Sequence, residues 1–162
     1  MRVAEDIEIN APPEAVWRMV ADATTYLHFM SGITRWEVVS AQPGGVGARY
    51  RMLLRVGSAE IGGLIEVVEW KEPLDIAWTS VTGVDQRGRW RLRARDGGTW
   101  VQLRLSYGVA GSGIWGAIAD RVAAPSVRGH LRRTLQQLKR QVEYQQLRDA
   151  AAARRGARTG AA

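Results

Sequence analysis

From residue 2 to residue 9 hydrophobic and polar positions alternate, with Val3, Ile7 and Ile9 on one parity and Arg2, Asp6 and Glu8 on the other. That period of two predicts a strand with one buried face. Asn10-Ala11-Pro12-Pro13-Glu14 then reads as a helix start, with prolines in the first turn and an acid beside the positive end of the dipole. Val16, Trp17 and Val20 supply its short apolar stripe, which ends near Asp22. Tyr26-Leu27-His28-Phe29-Met30, ahead of Ser31-Gly32, reads as a second short helix or an apolar-packed loop. Six further strands are predicted at 34–41, 47–56, 59–71, 75–82, 86–95 and 99–109, broken at Pro43-Gly44-Gly45, Gly57-Ser58, Glu72-Pro73, Gly83 and Asp96-Gly97-Gly98, the residues that turn chains. Gly62-Gly63 within one run predicts a bulge that bends the sheet.

From Gly113 the period becomes helical. Ile114, Ile118 and Val122 form one stripe, and Val127, Leu131, Leu135, Leu138 and Val142 another, with Pro125 between them as an expected kink. Six consecutive strands without intervening helices form an antiparallel meander, and a lone amphipathic helix buries its stripe against that sheet. The expected class is α+β: a curved antiparallel seven-stranded sheet wrapped around a long kinked C-terminal helix, with two short helices after the first strand. A sheet curved around one helix leaves a hollow between them. Residues 1–145 form one expected domain and 146–162, rich in Ala and Arg, a flexible tail.

Composition narrows the chemistry. The chain has 162 residues, 46% of them apolar, which suits one soluble domain. It has no cysteine, which excludes disulfides, thiolate catalysis and zinc–cysteine sites. No apolar run approaches the roughly 18 residues of a membrane span, and the acidic, alternating start is unlike a signal peptide. Stable membrane insertion is therefore not expected, and the expected compartment is the cytoplasm. The net charge of +7 is confined to the C-terminal fifty residues, since residues 1–112 carry thirteen basic and thirteen acidic side chains. Arg87, Arg89, Arg91, Arg93 and Arg95 alternate along one strand. They read as a solvated outer face balanced by Glu60, Glu66 and Asp75, not as a nucleic-acid surface. Pro43-Gly44-Gly45-Val46-Gly47 lacks the Gly-Lys-Ser/Thr ending of a phosphate loop and leads into a strand, so it is a turn.

Ile9-Asn10-Ala11-Pro12-Pro13-Glu14-Ala15-Val16-Trp17, Gly47-Ala48-Arg49-Tyr50, Glu69-Trp70-Lys71-Glu72-Pro73, Gly88-Arg89-Trp90, Gly98-Thr99 and Leu135-Gln136-Gln137-Leu138-Lys139 together resemble the START-like SRPBCC superfamily. The similarity is greatest to its polyketide cyclase/dehydrase and lipid-transport branch and to coenzyme-Q-binding proteins, and it spans roughly residues 3–143. The resemblance implies a helix-grip fold with a cavity between the sheet and the C-terminal helix. Members bind lipids, sterols, polyketides or quinones, and only some are enzymes.

The expected function is binding or carriage of a hydrophobic or amphipathic small molecule. The alternative is a cyclase or dehydratase acting on a polyketide-like substrate. Alternation places Tyr50, Met52 and Leu54, then Gly88, Trp90 and Leu92, then Val101, Leu103 and Leu105 on inward faces. The expected cavity lining is Tyr26, Phe29, Met30, Tyr50, Met52, Trp90, Leu103, Leu105, Ile118 and Leu131, with Trp90 near the centre. Tyr26, His28, Tyr50 and His130 are the candidate proton donors and acceptors, as ring closure and dehydration need such groups beside a shaped pocket. Two histidines without a carboxylate cluster do not make a metal site, and no cofactor is expected. A second copy of the chain, as a homodimer, is left open as a partner, and an adaptor using the basic residues 121–158 on an anionic membrane or RNA ranks below both functional readings.

Overall fold

A computed structural model describes the backbone at residues 1–108 and 113–159, and side-chain surroundings at residues 1–108 and 124–157. The chain runs through β1 (Arg2–Ile9), α1 (Pro13–Val20), a single 3-10 turn (Ala23–Thr25) and α2 (Tyr26–Phe29). The strands β2 (Ile33–Val38), β3 (Arg49–Val56), β4 (Ala59–Lys71), β5 (Asp75–Gly83), β6 (Asp85–Arg95) and β7 (Gly98–Gly108) follow, and then α3 (Gly113–Thr159). The strands form one seven-stranded antiparallel sheet in the order β1-β7-β6-β5-β4-β3-β2. The meander therefore runs β2 to β7, and β1 closes its far edge after α1 and α2 carry the chain across. This is the α+β helix-grip arrangement that the pattern predicts.

Local chemistry explains the elements. Pro13 opens α1, Glu14 sits in its first turn, and Ala15, Val16, Trp17 and Val20 form its buried face. The β6–β7 hairpin turns at Asp96 (φ 38°) and Gly97 (φ 82°), the paired left-handed conformations that Asp-Gly accommodates. The expected bulge falls elsewhere. Gly62 and Gly63 pair regularly with Leu53 and Met52, whereas the register slips where β4 meets β5, at Leu64/Ile65 and at Val67/Glu69. The two extra residues, Val81 and Val68, are both exposed. The slip rotates a surplus apolar side chain outward and returns the next residue to its face.

Helix α3 passes through Pro125 without ending, and Val127, Leu131, Leu135, Leu138 and Val142 are buried against the sheet. Polar contacts fix its height. Glu5 of β1 accepts from Arg132 at 2.8 Å and meets Arg128 at 3.5 Å. Further along, Lys139 Nζ donates to the Glu8 carbonyl, and Asn10 N–H donates to Glu143. On the opposite side Gln141 donates to the His28 carbonyl. The helix continues to Thr159, exposed from Arg148 to Ala157 except at Ala151.

The outer face of the sheet is charged and largely paired. Arg49 meets Glu66 at 2.6 Å, Arg51 meets Glu37, and Arg55 meets Glu60. Arg89, Arg91 and Arg93 converge on Asp75, with Arg89 also on Glu69. Burial works against ionisation of Asp75, but the hydrogen bonds and charges of Arg93 and Arg91 outweigh it and hold its carboxyl below its ordinary value. Among the described residues no helix is long and apolar enough to cross a membrane, and no cluster of side chains could hold a metal ion.

Candidate functional site

A cavity of about 50 Å³ lies between the concave sheet face, α2 and the middle of α3. Its sheet wall comes from Tyr50, Met52 and Leu54 of β3, Ile65 and Val67 of β4, Ile76 and Trp78 of β5, and Leu103 and Leu105 of β7. Its other wall is Tyr26 and Met30 at α2, Ile33 and Trp36 of β2, and His130, Leu131 and Thr134 of α3. A smaller extension of about 20 Å³ shares Met52, Leu54, Gln86 and Leu105 and runs on towards Val84, Tyr107 and Val127. Since a water needs about 10–15 Å³ of such space, the main chamber has room for a few waters. Small-molecule sites usually offer about 300–1,000 Å³, so a larger guest has to displace side chains.

The lining is almost wholly apolar, and its aromatic members are ordered. Trp36 lies between two tyrosines, 4.6 Å from Tyr26 and stacked on Tyr50 at 4.9 Å. Both phenols are engaged: Tyr26 Oη donates to the Val20 carbonyl at 2.6 Å and Tyr50 Oη to the Pro43 carbonyl at 2.7 Å. Burial pushes the Tyr50 phenol up to about 12. Burial, with Tyr50 adding to it, raises that of Tyr26 as well. Neither hydroxyl is placed to give or take a proton near neutrality. The indole N–H groups of Trp36 and Trp78 are buried and have no hydrogen-bond partner among the described residues. Gln86, also buried, donates to the weak acceptor Met52 Sδ at 3.6 Å.

Trp78 owes its place to a glycine. Its register partner on β6 is Gly88, and a Cβ there would lie 1.9 Å from the indole ring. The missing side chain is the space in which the ring lies.

The polar corner is where α3 meets the α2–β2 loop. Ser31 N–H donates to Thr134 Oγ1 at 2.9 Å, Ser31 Oγ lies 3.1 Å from His130 Nδ1, and Arg133 reaches both. Because a guanidinium only donates, the Arg133 contact at 3.1 Å requires a bare Nδ1 and places the imidazole proton on Nε2. Burial first, then the Arg133 charge, lowers the pKa of His130, against a backbone hydrogen bond at Arg55. His130 is thus a neutral imidazole at the cavity wall. It packs on Gly32 (φ 81°), where a Cβ would sit 2.5 Å from the ring.

Of the expected lining, Tyr26, Met30, Tyr50, Met52, Leu103, Leu105 and Leu131 come together at the cavity, as does His130. Phe29 and Trp90 are not among the residues that line it. Both are fully buried, with rings 6.3 Å apart, and Trp90 is fixed between Ile76 and Leu103 in register. They are solid core because α2 lays Phe29 against that part of the sheet. His28 is exposed on α2 and outside the lining, since the one-turn helix turns Tyr26 and Phe29 inward instead. The side chain of Ile118 lies outside the described residues. Trp36, Trp78, Gln86 and Thr134 join the lining without being expected from the sequence. For Trp78 the available signal was a glycine on the inward parity of one strand facing a tryptophan on the next.

This arrangement of strands and helices has known counterparts. A Thermus thermophilus protein of known structure shares 23% identity with a TM-score of 0.77, over 89% of this chain and 98% of its own. The Zhui aromatase/cyclase from Streptomyces sp. R1128 superposes with a TM-score of 0.69 at 18% identity, over 88% and 93%. A START superfamily protein from Mycobacterium smegmatis gives 0.66 at 16%, over 88% and 97%. At these identities the likeness is one of fold. No curated protein matches the sequence. The family model described as polyketide cyclase/dehydrase and lipid transport matches residues 1–143. By that match and by its helix-grip fold, the chain belongs to the polyketide cyclase/dehydrase and lipid transport family.

Proposed function

We propose that this protein binds and carries a hydrophobic or amphipathic small molecule with a flat apolar body and at least one hydrogen-bond acceptor, of the quinone, polyketide or functionalised lipid class. The observation that carries this reading is the chemistry of the cavity wall. It is apolar and aromatic, yet two buried indole donors, on Trp36 and Trp78, have no partner among the described residues. An unpaired buried donor costs about 1–3 kcal/mol, and a carbonyl oxygen arriving with a guest recovers part of that. The Tyr26–Trp36–Tyr50 stack favours a planar guest over a saturated chain.

The test is a titration of tryptophan fluorescence with a naphthoquinone and, separately, with a saturated fatty acid. Native mass spectrometry of protein purified from its own host complements it. The quinone is expected to quench and saturate. Trp36→Phe, which keeps an aromatic ring and removes the donor, should weaken binding about fivefold, near the 1 kcal/mol of one net hydrogen bond. No spectral change with any apolar ligand and no co-purifying molecule would rule out the carrier reading.

One observation favours catalysis as the second reading: His130 is a neutral imidazole at the cavity wall, and its Nδ1 becomes a base for abstracting a proton next to a carbonyl once a guest displaces the Arg133 contact. Turnover of a polyketide-like substrate that vanishes in His130→Ala, with affinity retained, would establish the cyclase or dehydratase instead.

A further inference from the structure

On the outer face of the sheet carboxylates answer the arginines of β3, and on β6 they answer Arg89, Arg91 and Arg93. At one corner the pairing stops. Arg2 of β1, Arg104 of β7 and Arg87 of β6 form no ion pair among the described residues. The register brings them together. Arg2 is opposite Ser106, Ser106 is opposite Arg87, and one same-face step along β7 places Arg104 opposite Arg89. Directly opposed side chains stand about 4.5–5.5 Å apart at Cβ and diagonal ones about 7–8 Å, within reach of one small ion.

Arg2, Arg87 and Ser106 also border a depression of about 320 Å³ at the end of the sheet, which Met1, Asp85, Tyr107 and Gly108 complete. The carboxylate there, Asp85, forms no ion pair with them among the described residues; its Oδ1 accepts from Ser80 Oγ at 3.5 Å across the β5–β6 turn. Like charges facing across a ladder destabilise a sheet. Arg104 is half-buried among them, and its burial together with the charges of Arg2, Arg89 and Arg91 lowers its pKa. Elsewhere this surface removes that repulsion with Glu or Asp. Here two guanidiniums and a hydroxyl border a concave spot, and Arg104 stands one same-face step away along β7.

We infer that this corner is a second binding site, one that takes a phosphate group on Arg2, Arg87, Arg104 and the Ser106 hydroxyl. Guanidinium forks match the paired oxygens of a tetrahedral oxyanion. A dianion uses three cations more fully than a single carboxylate does. The phosphate comes either free, as inorganic phosphate or a soluble phosphomonoester, or on the headgroup of an anionic lipid. The site is separate from the cavity and stands whether or not the cavity reading holds.

The experiment uses the full chain, with Arg104→Gln as the test and Arg51→Gln as the control, since Arg51 lies on the same outer face but pairs with Glu37. Inorganic phosphate is titrated against chloride at equal ionic strength, following the melting temperature and heat of binding. Co-sedimentation is measured with phosphatidylcholine vesicles with and without phosphatidate. Phosphate is expected to raise the wild-type melting temperature, and Arg104→Gln to bind at least tenfold more weakly while folding as well as wild type. Binding of inorganic phosphate supports a soluble ligand. Binding to phosphatidate vesicles alone, lost in Arg104→Gln, supports a lipid headgroup. Absence of both, or equal weakening by Arg51→Gln, overturns the site and leaves only a response to net charge.

Discussion

Adding one methyl group at Gly88 tests how the cavity is built. Gly88 is not among the glycines with positive φ, so alanine fits its backbone, and the substitution acts through a single contact. The new Cβ would lie 1.9 Å from Trp78 Cζ2, 2.1 Å from Cε2 and 2.6 Å from Cη2, whereas carbon atoms rest about 3.5–4.0 Å apart. The indole must therefore retreat by roughly 1.5–2 Å, by the same contact distance. Trp78 lines the cavity, so the room it retreats into is the guest's. Overpacking of this kind costs about 1–3 kcal/mol. Replacing glycine at a compatible backbone returns about 0.4–1 kcal/mol through the unfolded chain. A net loss of about 1–2 kcal/mol lowers the melting temperature by roughly 2–8 °C in a chain of this size. The assay is thermal unfolding of Gly88→Ala in the wild-type and Trp78→Leu backgrounds, with quinone titration alongside. Gly88→Ala should destabilise and weaken binding in the first background and be neutral or stabilising in the second, a coupling of at least about 1 kcal/mol. An equal loss in both backgrounds would show that the methyl does not act through Trp78, and the account of the cavity wall would fail.

Three further outcomes are expected. Trp90→Ala, at a fully buried position, should cost about 3–5 kcal/mol, while Trp90→Phe should leave ligand affinity unchanged because the ring does not line the cavity; a large affinity loss in Trp90→Phe would contradict that placement. The pKa of His130 is depressed on folding, so the unfolded chain takes up the proton first: stability is full above about pH 6.5 and falls as the pH drops through that value towards the folded pKa. Asp75, also depressed, withdraws its contribution only below its ordinary value of 3.8, so urea titrations should show two acid-side losses, the first absent in His130→Gln and the second in Asp75→Asn. Deletion of residues 149–162, which removes three arginines and Asp149, should leave the melting temperature and quinone binding nearly unchanged; a large fall would mean that the end of α3 is docked.

Element order, the seven strands and the long helix follow from the sequence because periods of two and 3.6 are local properties, and each hairpin is bounded by residues that can turn. The inward parity of Tyr50, Met52, Leu103 and Leu105 is legible for the same reason. Alternation tells which face of a strand is inward but not how deep each inward residue lies. Trp90 and Trp78 therefore look alike in sequence, although α2 seals one into solid core and Gly88 opens space for the other. A four-residue helix carries too little pattern to orient His28, and only its packing turns Tyr26 and Phe29 inward. The Ser31–His130–Arg133 corner and the Glu5 clamp join residues about a hundred positions apart or more. The unpaired corner of Arg2, Arg87 and Arg104 depends on the β1–β7–β6 register. Such meetings depend on how strands pair and where the helix lands, and a chain's local periodicity does not encode them.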